Sequence, residues 1–327
     1  MIRIVLLGLP FWSRRLAGIL NWRPGEVTAE FLPLKALGTP TGLRVALAAD
    51  IFLRIGYRPG APTWRGRLFD ALWALLRFLN PRARAVHYWQ GTDVLNCLED
   101  FRSGRLRPGP MTRAEHDLHW TVAPWLVEEL AEAGLKSRFI TFPVVLEGVQ
   151  PPERLPAPFT VLTYIPDFRW EFYDGPSIYR VARALPGIRF EVIGGLGTWV
   201  EQALPNLAFY GWQADVRPFL DRATVALRLV RHDGVAQSVR EALQAGRPVI
   251  YSQSIPCVQV VAYQDPEALE QALGELSRRF EAGDLPPNLA GHRYVMETFD
   301  LDTCLDNYLT DLRSQLGRTK AMECPIP

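Results

Sequence analysis

The stretch that could do chemistry runs from Leu227-Arg228-Leu229-Val230 through Arg231-His232-Asp233-Gly234 to Val235-Ala236-Gln237, and on past Glu241 to Gly246-Arg247-Pro248-Val249-Ile250. Two carboxylates, Asp233 and Glu241, stand eight residues apart in it. An apolar run, a loop ending in glycine, a helical span over 235–245 and a second apolar run predict strand, loop, helix and strand. Gly234 lets the loop backbone come close to a ligand. The amides of Val235, Ala236 and Gln237 are then expected at a helix N-terminus, a ready site for phosphate. Glu241 falls about two turns into the helix, and either carboxylate can accept hydrogen bonds from sugar hydroxyls. The plain alternative makes Asp233 a helix N-cap and Glu241 a solvated helix acid.

A second set brackets the loop Tyr88-Trp89-Gln90-Gly91-Thr92. Asp93 is expected either to take a proton from an acceptor hydroxyl as a general base, or to cap the helix that follows. His87 either joins it or is a satisfied strand residue. His232 beside Asp233 contacts a ligand or packs at a strand end. His116 and His119 are expected to point to opposite faces of a strand, which argues against a metal site. Gly194-Gly195-Leu196-Gly197 and Gly8-Leu9-Pro10-Phe11 both lack the dinucleotide spacing. Their glycines read as close-approach turns.

The elements that must carry these residues alternate. Strands are expected at 2–7, 27–32, 43–49, 84–88, 118–122 and 138–142, with helices at 13–20, 64–79 and 124–133. Four prolines within 151–158 read as an extended linker. The pattern then restarts with strands at 159–164, 188–193, 207–210, 224–230 and 248–252, and helices at 177–184, 216–221 and 266–280. Two helices, 288–299 and 301–316, close the chain. Alternation of this kind means parallel sheets covered on both faces. The expected domains are 1–150, 151–285 and a helical segment 286–327 that packs back on the first, with a cleft between two facing lobes.

Composition narrows the class. The 327 residues are 48% hydrophobic and 22% charged, which excludes a disordered chain. No apolar run approaches the roughly 18 residues of a membrane span, and the first residues lack a signal-peptide pattern. Cys97, Cys257, Cys304 and Cys324 form no CxxC pair, so a cytoplasmic protein is expected. The net charge of +1 hides an asymmetry: 19 basic against 13 acidic residues in 1–150, but 17 against 22 in 151–327. Within 57–84, six arginines and the aromatics Trp64, Trp73 and Phe78 accompany a single acid, Asp70. That segment is either a sheet-covering helix with a basic rim or a surface for an anionic membrane. No nucleic-acid motif accompanies the charge.

Taken together, Asp233-Gly234, Glu241-Ala242-Leu243 and Gly246-Arg247-Pro248-Val249-Ile250 resemble the E-x7-E segment of GT-B glycosyltransferases of the family 4 type. Asn206 to Trp212 is similar to the strand and "GW" loop that borders the nucleobase, and Arg189 to Gly195 to the strand and glycine ahead of it. The closing helix, with Phe299, Tyr308 and Leu312, is similar to one that crosses back to the first domain. The likeness implies an α/β fold of two facing Rossmann-like domains. It implies that Asp233 contacts the donor sugar, Glu241 holds the ribose, and Gly234, Val235 and Ala236 hold the diphosphate. Gly194, Gly211 and Trp212 would border the base, and His232 is a further donor-side candidate that could contact the phosphates or the acceptor. In place of the family's phosphate Arg and Lys pair, the chain offers Arg169 and Arg228, since no lysine lies between Lys136 and Lys320. Gly8, Pro10 and Gln90 would face the acceptor, with Asp93 and His87 as catalytic candidates. The implied reaction transfers a sugar from a nucleotide-diphosphate sugar to a glycan, lipid-linked or small-molecule hydroxyl, without metal or resident cofactor. A nucleotide-sugar epimerase and a non-catalytic binding relative are the other readings.

Overall fold

A computed structural model describes residues 1–143 and 148–317. Residues 144–147, ahead of the proline-rich stretch, lie outside the described residues, as do 318–327 with Lys320 and Cys324. The chain divides into two compact units, one of Met1–Phe142 with the chain from Leu301 onward, the other Pro143–Asp300.

The first unit builds β1 (Ile2–Gly8), α1 (Pro10–Leu20), β2 (Val27–Phe31), α2 (Pro40–Leu47), β3 (Ile51–Ile55), α3 (Trp64–Leu79) and β4 (Arg84–Trp89). It continues through α4 (Thr92–Arg102), α5 (Pro108–Ala114), β5 (Leu118–Thr121), α6 (Trp125–Glu132) and β6 (Ser137–Phe139). All pairings are parallel, in the order β2-β1-β3-β4-β5-β6. Its strands read as near-continuous apolar runs because helices cover both faces. Val5, Leu7, Phe52, Trp73 and Leu76 form one buried cluster on the α3 side.

One expected strand is a helix. Residues 43–47 belong to α2, 48 and 49 follow as its C-terminal turn, and the strand comes next at β3. Thr39 Oγ1 accepts from the Gly42 amide at 3.1 Å, Pro40 opens the first turn, and Gly42 and Ala46 are buried four residues apart. Cap, proline and spacing together specify a helix start, which an apolar run alone concealed. Helix α5, begun by Pro108, was not expected at all.

The second unit runs β7 (Thr160–Tyr164), α7 (Gly175–Ala184), β8 (Arg189–Ile193), β9 (Leu207–Phe209), α8 (Arg217–Arg222), β10 (Val225–Arg228) and α9 (Gln237–Gln244). β11 (Val249–Tyr251), β12 (Gln259–Val260), α10 (Pro266–Glu281) and α11 (Leu289–Thr298) complete it. Its sheet is again parallel throughout, ordered β12-β11-β10-β7-β8-β9. Val161, Phe190, Leu227 and Ile250 from the sheet pack with Ile178, Leu269 and Leu273 from the helices. The proline-rich stretch forms neither helix nor strand and lies on this unit, where Thr224 Oγ1 donates to the Pro156 carbonyl at 2.9 Å.

The trailing helices part company. α11 packs on α9 in the second unit. α12 (Leu301–Gln315) belongs to the first, where the Tyr308 hydroxyl donates to the Thr141 carbonyl at 2.8 Å and the Trp120 indole donates to Asp311 at 2.7 Å. Among the described residues no helix is long and apolar enough to cross a membrane.

Candidate functional site

Strand order places the site. From β7 the chain lays β8 and β9 to one side, then returns to put β10 and β11 on the other. Connections therefore diverge between β7 and β10, and a crevice opens beyond their carboxyl ends, where open parallel sheets bind ligands. A pocket of about 410 Å³, open mouth included, lies there. Tyr164 of β7, Ile193 of β8 and Arg228 of β10 line it together with Val216, Leu220 and, from α9, Ser238, Val239 and Glu241.

Glu241 is 7% exposed, so it is not the solvated helix acid of the plain alternative. The Gln237 side chain donates to its Oε1 from one turn earlier. α9 begins at Gln237 rather than 235, with Ala236 as its N-cap. This shifts the amides available to a ligand. The Ala236 amide donates to the Tyr251 hydroxyl at 3.3 Å, and that hydroxyl donates to the Gly234 carbonyl at 2.6 Å. The first-turn amides, those left without an intrahelical carbonyl, are those of Gln237, Ser238 and Val239, of which the last two belong to residues lining the pocket. Val235 and Ala236 are buried, and of their N–H groups that of Ala236 is taken up by Tyr251.

Asp233 stands three residues before the N-cap, so it is not the N-cap residue of α9. Its Oδ2 accepts from Arg228 Nη2 at 2.5 Å and Nε at 3.1 Å, and its Oδ1 from the Gly234 amide at 3.0 Å. Arg228 lies over the Tyr173 ring, 4.5 Å from the centroid. Burial works against its charge, but Asp233 outweighs burial and holds the guanidinium protonated more firmly than usual. The pair brings Asp233 to the same pocket wall as Glu241, through Arg228.

Loops after β7, β8 and β9 form the rim. Asp167 accepts from the Leu196, Gly197 and Thr198 amides at 2.8, 2.9 and 3.1 Å, pinning the glycine-rich loop. At Gly194, φ is +98° and a Cβ would run into the Tyr164 ring, so the turn excludes any side chain. The Gly194 amide donates to the Gly211 carbonyl at 2.7 Å, joining the two loops expected at the base, and Trp212 stands 72% exposed beyond them. Arg169 stacks on Phe172 at 3.9 Å and forms no ion pair among the described residues. Burial and Tyr173 raise the Tyr164 phenol above its ordinary pKa, against the pull of Arg228 and Arg169. His232 is buried at the end of this strand-to-loop segment. Sequence reasoning missed Asp167, Ser238 and Tyr251 as contributors; an Asp just after the β7 strand, ahead of a glycine-rich loop, was the available signal for the first.

In the first unit Gly8, Pro10, Gln90 and Asp93 gather at the carboxyl edge of the sheet. Gly8 has φ +108°, and a Cβ would overlap the Ile55 carbonyl, so β1 meets β3 here at backbone distance. Asp93 Oδ1 accepts from the Gln90, Gly91 and Val94 amides at 2.9, 2.8 and 3.1 Å, while Oδ2 accepts a longer bond from Gln90 at 3.2 Å. Burial pushes this carboxyl up to about 6 against the pull of those amides. The carboxylate thus anchors the loop from inside α4, whose N-cap is Gly91.

His87 is a correction. It does not join Asp93 at the edge but lies 1% exposed in the middle of β4, on the face covered by α3. Parallel register aligns Arg54, His87 and His119 across β3, β4 and β5. His87 stacks on His119 at 4.7 Å and its Nε2 meets Asp117 at 2.8 Å. Burial holds its pKa down to about 3, so the ring is neutral and donates to the carboxylate. Burial opposes the Asp117 charge, but the His87 hydrogen bond and Arg77 outweigh it and keep that carboxyl below its usual range. Arg54, fully buried, stacks on Phe69 at 4.3 Å and Trp73 at 4.1 Å. The row is buried in the core of the first unit. Among the described residues no three His, Cys, Asp or Glu side chains are placed to hold a metal ion.

Residues 176–279, which include the pocket's α9, match the family model described as glycosyl transferases group 1. No curated protein matches the sequence. Among solved structures, sucrose-phosphate synthase from Thermosynechococcus elongatus is similar over 98% of this chain and 100% of its own, at 13% identity and a TM-score of 0.71. Anabaena HepE, in complex with UDP and glucose, is similar over 96% of this chain and 100% of its own, at 12% identity and a TM-score of 0.67. TarM from S. aureus aligns over 83% of this chain and 59% of its own, at 10% identity and a TM-score of 0.59. The chain has the GT-B fold of two Rossmann-like units, and part of the second is similar to the group 1 glycosyl transferases.

Proposed function

We propose that this chain transfers a sugar from a nucleotide-diphosphate sugar to an acceptor hydroxyl. The observation that carries the reading is Glu241, a buried carboxylate lining the pocket where β7 and β10 diverge. A carboxylate so placed recognises a vicinal diol such as a ribose, because two hydroxyls can donate to it at once. Arg169, lacking a carboxylate partner among the described residues, and the first-turn amides of α9 would face the diphosphate. Arg228 would orient Asp233 toward the sugar. Negative charge developing on the leaving phosphate then meets donors already in position, which lowers the barrier without a metal or resident cofactor. Trp212 and the Gly194 and Gly211 turns would border the base. HepE, of the same fold, holds UDP and glucose, which supports a donor of this class.

On the acceptor side, Gly8, Pro10 and Gln90 would line the approach. Asp93 would take the hydroxyl proton through Oδ2, its less occupied oxygen, in the ionised form that prevails above about pH 6. Calorimetry with a panel of nucleoside diphosphates tests the central claim. Glu241→Ala should abolish measurable heat while circular dichroism stays native; undiminished affinity removes the assignment. A binding-only role is the second reading, favoured by the engagement of both Asp233 oxygens, one by Arg228 and one by the Gly234 amide. Absence of turnover with a donor that binds, across glycan and lipid-linked acceptors, would select it.

A further inference from the structure

We propose that α3 docks the first unit on an anionic lipid surface. Helices on protein surfaces turn polar residues outward, and α3 does the reverse. Its exposed positions include Trp64, Leu68, Leu75, Phe78 and Leu79, which recur at helical spacing on one side. Phe78 is 80% exposed and Trp64 69%. From Trp64 to Phe78 the stripe runs about 21 Å at 1.5 Å per residue. The opposite side is already used: Gly66, Asp70, Trp73 and Leu76 are buried against the unit. α2, which packs against α3, adds exposed Leu43 and Leu47.

The charge around the stripe selects its occupant. On the helical wheel Arg65 and Arg67, both exposed, fall on either side of the apolar arc. Lys35, Arg44 and Arg82 are exposed on the neighbouring segments. Between residues 31 and 84 the acids are Asp50 and Asp70 against nine basic residues, and Asp70 is buried in an ion pair with Arg107. A second copy of the chain joined through this stripe would bring the same arginines together and repel. An anionic bilayer instead takes tryptophan, phenylalanine and leucine into its interface while its headgroups face the arginines.

The test is co-sedimentation of the full chain with vesicles of phosphatidylcholine alone and of phosphatidylcholine with phosphatidylglycerol in equal parts, at physiological salt. The chain should partition at least tenfold more to the anionic vesicles. Leu75→Gln with Phe78→Gln should reduce that partition at least tenfold, and Arg65→Gln with Arg67→Gln should reduce it roughly 30-fold, at about 1 kcal/mol per basic residue. All four positions are exposed or edge positions, and unchanged thermal unfolding would confirm intact folds. Equal binding to both vesicles, or anionic binding unaffected by the Leu75 and Phe78 changes, overturns the proposal. So does a dimer in light scattering that the Leu75 and Phe78 changes convert to monomer, since the stripe would then belong to a second copy.

Discussion

Replacing His87 by phenylalanine should make the protein less sensitive to acid. The ring titrates near 6.5 in an unfolded chain but only at about 3 in the folded one. Its neutral form is therefore favoured by folding, so its contribution is complete above pH 6.5 and declines as pH falls from there toward 3. At about 1.4 kcal/mol per pH unit, moving from pH 7 to pH 5 removes roughly 2 kcal/mol from the wild type through this group alone. Phenylalanine keeps a flat ring against His119, Tyr57 and Trp73 but cannot bind a proton. It also loses the bond to Asp117, which costs about 1.5–3 kcal/mol for a hydrogen bond to a charged group. The variant should thus be the weaker protein at pH 7 and recover roughly 2 kcal/mol of that deficit by pH 5. Asp70 and His119 titrate in both proteins and largely cancel from the difference; Asp117 does not, because the lost His87 bond helps hold its carboxyl down, and its rise in the variant adds to the recovery on the acid side. Asp93, whose raised pKa works in the opposite direction between about 6 and 3.8, cancels too. Urea unfolding followed by tryptophan fluorescence at pH 5, 6, 7 and 8 measures the gap. Parallel stability curves for the two proteins would refute the argument that His87 is buried as a neutral base.

Asp93→Asn retains an oxygen for the loop amides, so the melting temperature should stay within a few degrees while turnover falls about 100-fold or more, as loss of a general base requires. Turnover within a few-fold of wild type would reduce Asp93 to a loop anchor. The wild-type rate should also fall on the acid side with an apparent pKa near 6. Arg169→Met should weaken a nucleoside diphosphate about tenfold or more in calorimetry while leaving the corresponding nucleoside unchanged; equal losses for both would place Arg169 away from the phosphates.

Much of the architecture was legible in the chain because it is written locally. Apolar runs ending in glycine, helical spacing, and the restart after the prolines specify two parallel α/β units through backbone preferences and side-chain periodicity. The eight-residue interval between Asp233 and Glu241 was equally plain, being confined to one loop and one helix. Other features depend on neighbours distant in sequence. The pocket exists because β10 returns beside β7, and no local pattern encodes strand order. Arg228 could be read as a phosphate ligand until folding set it against Asp233. The Ala236 amide looked available until Tyr251, fifteen residues on, reached it from β11. His87 looked like a partner for Asp93 six residues away. Alternation along β4 turns it instead to the α3 face, and register with Arg54 and His119 encloses it. Periodicity fixes which side of an element a residue occupies; only packing decides whether that side meets a ligand, a bilayer or the core.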